Sequence, residues 1–262
     1  MVRPRTVLAP ALCLLAALAA AQPAFGDEYL AYTGIATDLR THRFLYGEQH
    51  VLMDRQGGLS ERVVLYTCRD GAPFARKRVS YVDPFAPDFS LEDASNGLQE
   101  GVRGAAGARQ VYFRPRAGAP AQEAALPREP ALVADAGFDG FVVAHWPSLA
   151  AGQDVALHFL IPSRLQGLGF RVGALRRDRI DGEPVEVFRL KLSGAFGLFL
   201  PGIDVFYGER DHVLLRYEGP SDLRDARGEN YQVSVSFDPQ NRRAAARDDF
   251  ERGERAPLAP CT

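Results

Sequence analysis

Five histidines, His42, His50, His145, His158 and His212, are the side chains of this sequence best suited to hold a metal or carry a proton near neutral pH. Their spacing favours neither role. His42 and His50 share one face of a predicted strand but stand about 27 Å apart at strand rise, too far to bind one ion. No H-x-H or H-E-x-x-H pairing occurs, so the expectation is no metal site and no cofactor. Ser163 in "IPSRL" lacks the G-x-S-x-G elbow that presents a nucleophile, and it reads as an exposed turn serine. Asp135 and Asp139 fall one helical turn apart, as a paired-carboxylate site would need. Helix capping accounts for the first and a solvated helix face for the second. "SDLRDARGENY" has the acids and glycine of a calcium loop without its D-x-D-x-D-G spacing, and a hairpin turn accounts for it. No catalytic residue is assigned, and the chain reads as non-catalytic.

The N-terminus carries the strongest signal. Arg3 and Arg5 precede an apolar run, Val7 to Ala21, and Ala24-Phe25-Gly26 forms a small-residue cleavage pattern before Asp27. The run is about 15 residues, short of the roughly 20 that a membrane span needs. Residues 1–26 therefore read as a signal peptide, and the protein as periplasmic. Cys13 is preceded by Leu12 rather than the small residue of a lipoprotein signal. Beyond the signal remain Cys68 and Cys261, and two thiols in an oxidising compartment suggest one disulfide. The alternative is a buried Cys68 with a free tail thiol.

Loss of Arg3 and Arg5 takes the formal charge from −2 to about −4, with no basic stripe to receive nucleic acid. "LRRDR" (175–179) sits beside Asp181 and Glu183 and reads as a solvated turn. No second apolar stretch is long enough to span a membrane as a helix, although transmembrane strands leave a weaker signal. The divisions expected are 27–240 as a single β-rich domain and 241–262 as a charged tail, either a short helix or loose.

What must position any site is mostly strand. In "ENYQVSVSF", Tyr231, Val233, Val235 and Phe237 alternate with polar residues, the mark of a half-buried antiparallel strand. "EVFRLKL" and "GFRVGAL" repeat the pattern. Further strands are expected at Glu28–Ala36, His42–Met53, Arg62–Arg69, Phe74–Val82, Gln110–Arg114, Val155–Pro162, Ile203–Gly208 and Val213–Glu218. The fold class is therefore mainly β: a large curved antiparallel sheet or open half-barrel of about ten strands. One helix covers it, with Asp135 as its cap, Phe138, Phe141, Val142, His145 and Trp146 on one face, and Pro147 ending it. Residues 95–130, rich in Gly, Ala and Pro, read as a long exposed excursion with one strand-like segment.

One connection is unusually apolar. "GAFGLFLPG" (194–202) lies between two strand patterns and brings Phe196, Leu198, Phe199 and Leu200, which must be covered by something. The expectation is that these four residues and Phe138, Phe141, Val142 and Trp146 line one apolar ligand site; packing of the connection under the helix is the plainer alternative.

Two segments, "ALVADAGFDGFVVAHWPSLAAGQDVALHFLIPSRLQGLGFRV" and "LLRYEGPSDLRDARGENYQVSVSF", resemble a family of exported proteobacterial proteins without an assigned activity. In overall order the chain is also similar, more distantly, to periplasmic lipoprotein carriers of the LolA and LolB kind. That likeness implies an open half-barrel with helices closing an apolar cavity, and it transfers no catalytic residues. The reading is an exported envelope protein binding a hydrophobic or lipid-like ligand. The alternatives are a structural or protein-interaction module of the envelope and, less favoured, an envelope hydrolase.

Overall fold

The computed structural model describes residues 27–55, 57–105, 107–194 and 202–261. The expected signal peptide and the apolar run Phe196, Leu198, Phe199 and Leu200 lie outside the described residues. Period-two alternation builds a succession of hairpins. The first four strands are β1 (Glu28–Asp38), β2 (Phe44–Arg55), β3 (Gly58–Thr67) and β4 (Pro73–Ser80). They continue as β5 (Asp88–Asp93), β6 (Gln99–Arg103), β7 (Gln110–Arg114) and β8 (Gln122–Ala125). After β9 (Leu132–Val133) come two short helices, α1 (Gly137–Ala144) and α2 (Trp146–Ala150). The chain then returns through β10 (Val155–Ile161), β11 (Gln166–Ile180), β12 (Glu183–Leu192) and β13 (Ile203–Gly208). It ends with β14 (Leu214–Arg224), β15 (Asn230–Phe237), β16 (Arg243–Ala245) and α3 (Arg247–Arg255).

All sixteen strands belong to one sheet, in the order β8-β7-β6-β5-β4-β3-β2-β1-β15-β14-β13-β12-β11-β10-β9, with β16 beside β1. In a flat sheet β8 and β9, at its two edges, would stand about 67 Å apart. The six residues between them reach only about 25 Å, so the sheet must roll up. Lys77 on β4 accordingly contacts Asp222 on β14, a span of about 24 Å if flat. Tyr46 on β2 likewise bonds Ser221 on β14 at 2.7 Å. Among the described residues β8 and β9 do not pair, so the rolled sheet stays open.

The structure corrects several sequence expectations. Among the described residues sixteen strands stand where about ten were expected: β7 falls at the expected Gln110–Arg114, whereas the short β5, β6, β8, β9 and β16 were not expected. The "LRRDR" run is not a turn: it continues β11 as far as Ile180, and Asp181-Gly182 makes the turn. Asp135 does not cap α1. It adopts a left-handed backbone (φ 46) and turns its carboxylate to Lys77, while Ala136 occupies the cap position without a side-chain bond. Pro147 does not terminate a helix but opens α2, where its missing N–H leaves no bond unmade. Gly137 is required by packing, because a Cβ there would come within 2.1 Å of the Phe85 carbonyl oxygen.

The outer face carries the C-terminal segment. Phe250 of α3 packs with Met53 and Val63. Arg76 donates to the Ala256 carbonyl at 2.9 Å and Arg78 to the Glu254 carbonyl at 2.8 Å, neutralising the negative end of the helix. Ala259 N–H bonds the Pro73 carbonyl, and Cys261 forms a disulfide with Cys68. Among the described residues no helix is long and apolar enough to cross a membrane.

Candidate functional site

The inner face of the sheet is not uniformly apolar. The inward register of β2 carries Tyr46, Glu48 and His50; that of β3 carries Arg62, Val64 and Tyr66; that of β4 carries Ala75, Lys77 and Val79. Across the hollow, β14 contributes Ser221 and Asp222. Lys77 is bonded to both Asp135 and Asp222. Burial disfavours its ammonium, yet the two carboxylates outweigh that and hold its pKa well above the usual lysine range. Asp135 is raised by its own burial, against the pull of Lys77. Asp222 is lowered: burial raises it, but the Lys77 charge wins. Asp222 keeps 46% of its side chain open amid these interior groups, so it faces the hollow rather than a packed wall. Glu100, also buried, has a carboxyl pushed up to about 8, first by burial and then by the Asp222 charge.

Nearby, Glu48 and His50 pair at 2.8 Å, and His50 stacks on Tyr32 at 4.4 Å. Burial lowers the His50 pKa despite its carboxylate partner. Closer to α1, Tyr207 donates to Asp139 Oδ1 at 2.8 Å, and the other oxygen stands 3.7 Å from Arg62. Here a cleft of about 170 Å³ opens, with Leu52, Val143, Val213, Leu214 and Phe237 as apolar walls and Arg62, Arg242, Asp139 and His212 as polar ones.

A larger groove, of about 830 Å³, runs between α3 and the outer face of β1 to β3. Ala31, Val51, Val63 and Leu65 form its floor; Arg243, Asp248 and Arg252 stand among its rim residues. Its volume lies in the range of small-ligand sites.

The helix residues expected at a ligand site are in the core. Phe138, Phe141 and Val142 are at most 9% exposed and join Leu157, Phe188 and Tyr207 in one cluster. Trp146, on α2, is half-buried against that cluster and stacks on His212. Leu190 and Ile203, the last pair of β12 and β13 before the apolar connection, pack in or against that same cluster, as does Tyr207 beneath α1. The histidines do not converge, and among the described residues no group of three His, Cys, Asp or Glu is arranged to hold a metal. Sequence reasoning missed Lys77, Asp222, Glu100 and Arg62. A usable signal existed for Lys77, Glu100 and Arg62, each charged at a position where the strand alternation points inward, whereas Asp222 lies out of phase beside a register shift in β14.

No protein-family model and no curated protein matches the chain. Among solved structures it is similar to a β-barrel-like protein of the domain of unknown function DUF1849 from Brucella abortus. The identity is 9% and the TM-score 0.40, over 84% of this chain and 98% of that one. It is also similar to a DUF1329 family protein from Desulfovibrio piger (9% identity, TM-score 0.29, 84% and 86% covered). A third is an outer membrane lipoprotein-sorting protein domain from Vibrio parahaemolyticus (10% identity, TM-score 0.27, 88% and 92% covered). At such identities the site has to be argued from this chain's own residues.

Proposed function

We propose that the chain is an exported, non-catalytic envelope protein that binds a hydrophobic or lipid-like ligand in the groove beneath α3. One observation carries this reading: a groove of about 830 Å³ with an aliphatic floor and a charged rim, in which an apolar body can be buried while a polar end stays wet. A nine-residue helix forms one wall, anchored by Phe250 and by a disulfide-tied tail. Native mass spectrometry of gently purified protein tests the proposal, with lipid retained on the chain as the expected result. In parallel, Leu65→Arg should weaken binding of a fluorescent fatty-acyl probe while leaving stability nearly unchanged. Absence of retained lipid together with equal probe binding by Leu65→Arg would remove the groove as the site. The apolar run Phe196, Leu198, Phe199 and Leu200 is a second candidate contact, to be discarded if Phe199→Ala leaves probe affinity unchanged.

An envelope hydrolase is a second reading, favoured by one feature: a Glu100 carboxyl raised to about 8 next to Asp222, which faces the hollow. Raised carboxyls beside ionised ones recur at acid–base sites. Turnover of ester or glycoside substrates that disappears in both Glu100→Gln and Asp222→Asn would establish it.

A further inference from the structure

We propose that the cleft between α1 and the inner face of β1 to β3 is an oxyanion site, with the Arg62 guanidinium receiving a carboxylate or phosphate group. The Arg62 side chain is 11% exposed, and its Nε is buried with no hydrogen-bond partner among the described residues. Asp139 Oδ2, the carboxylate oxygen within ion-pair range, stands at 3.7 Å, beyond hydrogen-bond distance, and the other Asp139 oxygen is taken by Tyr207. A buried guanidinium is ordinarily satisfied through its fork of N–H groups. This one has its charge balanced by Asp139 while its Nε has no partner among the described residues.

The surroundings favour an anion over a neutral guest. Arg242 lies over the Tyr32 ring at 4.6 Å and also lines the cleft, so two guanidinium groups face one carboxylate. Apolar walls lower the local dielectric and strengthen the attraction. A volume of about 170 Å³ is the space of five or six water molecules at ~30 Å³ each. That admits an oxyanion with a short apolar stub and excludes a whole acyl chain. The site is separate from the groove beneath α3 and does not depend on the function proposed for it.

The test is calorimetric titration of the mature chain, residues 27–262, with hexanoate, acetate, inorganic phosphate and hexanol. Hexanoate should bind at least about tenfold more tightly than hexanol, with a change in Trp146 emission, because Trp146 stacks on the cleft residue His212. Arg62→Lys, which keeps the charge but loses the fork, and Arg242→Gln, at the rim, should each weaken hexanoate binding, Arg62→Lys by about tenfold or more. Acetate or phosphate binding as tightly as hexanoate would assign the site to a free anion. A clear preference for hexanoate would assign it to the head of an amphiphile. Both variants binding hexanoate like the parent chain, or no anion binding below about 10 mM, would overturn the proposal.

Discussion

Trp146 and His212 lie face to face, with ring centroids 3.8 Å apart and planes 21° from parallel. The stack ties α2 to the turn between β13 and β14, where His212 adopts a left-handed backbone (φ 54). His212→Asn keeps a residue tolerant of that backbone and removes the ring. It should cost about 0.5–1.5 kcal/mol in urea unfolding and shift the Trp146 emission to longer wavelength. An unchanged spectrum would show that the stack does not persist in solution.

Lys77→Met should be among the most damaging single changes in the chain. It leaves Asp135, with a side chain only 6% exposed, as an uncompensated buried charge. Breaking such a pair typically costs about 3–5 kcal/mol. Lys77→Met combined with Asp135→Asn should recover part of that loss, and a double-mutant cycle on unfolding free energies measures how much.

Glu100 makes stability fall as pH rises. Its carboxyl titrates near 4.5 when unfolded and about 8 when folded, raised by burial. Between those values the folded chain holds a proton that the unfolded chain has released. The contribution is therefore fully present below about pH 4.5 and lost progressively up to about 8. The slope from this group approaches about 1.4 kcal/mol per pH unit. Glu100→Gln should flatten the curve over that window, and unfolding midpoints at pH 5 and pH 8.5 check it.

Phe141, 1% exposed and packed edge-on to Phe85 at 5.6 Å, should lose about 3–5 kcal/mol on change to alanine. Val143, on the same helix but 44% exposed, should lose under about 0.5 kcal/mol. Comparable losses at the two positions would mean that α1 is not seated as described.

Cys68 and Cys261 are separated by 193 positions. For a loop this long the chain-entropy model sets a ceiling of about 5 kcal/mol on the stabilisation. Cys68→Ser with Cys261→Ser should lower the urea midpoint, and limited proteolysis should release the segment after α3 before it cuts the sheet.

The long strands were legible from alternation, because β15 alternates apolar and polar residues along its length and β12 does so from Phe188 to Leu192, although Val185 and Val187 are buried on the other face. The short strands β6 and β8 were not: Gly101 interrupts the first, and the second, Gln-Glu-Ala-Ala, does not alternate apolar with polar residues. The aromatic stripe on α1 was visible, and Phe138, Phe141 and Val142 do face inward. Whether that face meets a cavity or a core depends on Phe188 and Tyr207, some fifty residues and more away in sequence. The interior charges were hidden for a different reason. A Lys at the inward position of β4 looks like an error of pattern until Asp222 from β14 is brought against it, and only the roll of the sheet does that.

The seam between β1 and β15 has a consequence for how the molecule comes into being. β1 is the first strand of the sheet to be synthesised and β15 is nearly the last, yet they are neighbours near the middle of the sheet, with Gly34 opposite Phe237. Until residue 237 is present, the β1–β8 half exposes an unpaired edge at the place that will become the interior of the sheet. Pairing over so long a separation is slow, and neither half can close its roll without the other. Closure of the roll therefore waits for the final strands, which complete the sheet at its centre rather than at an edge.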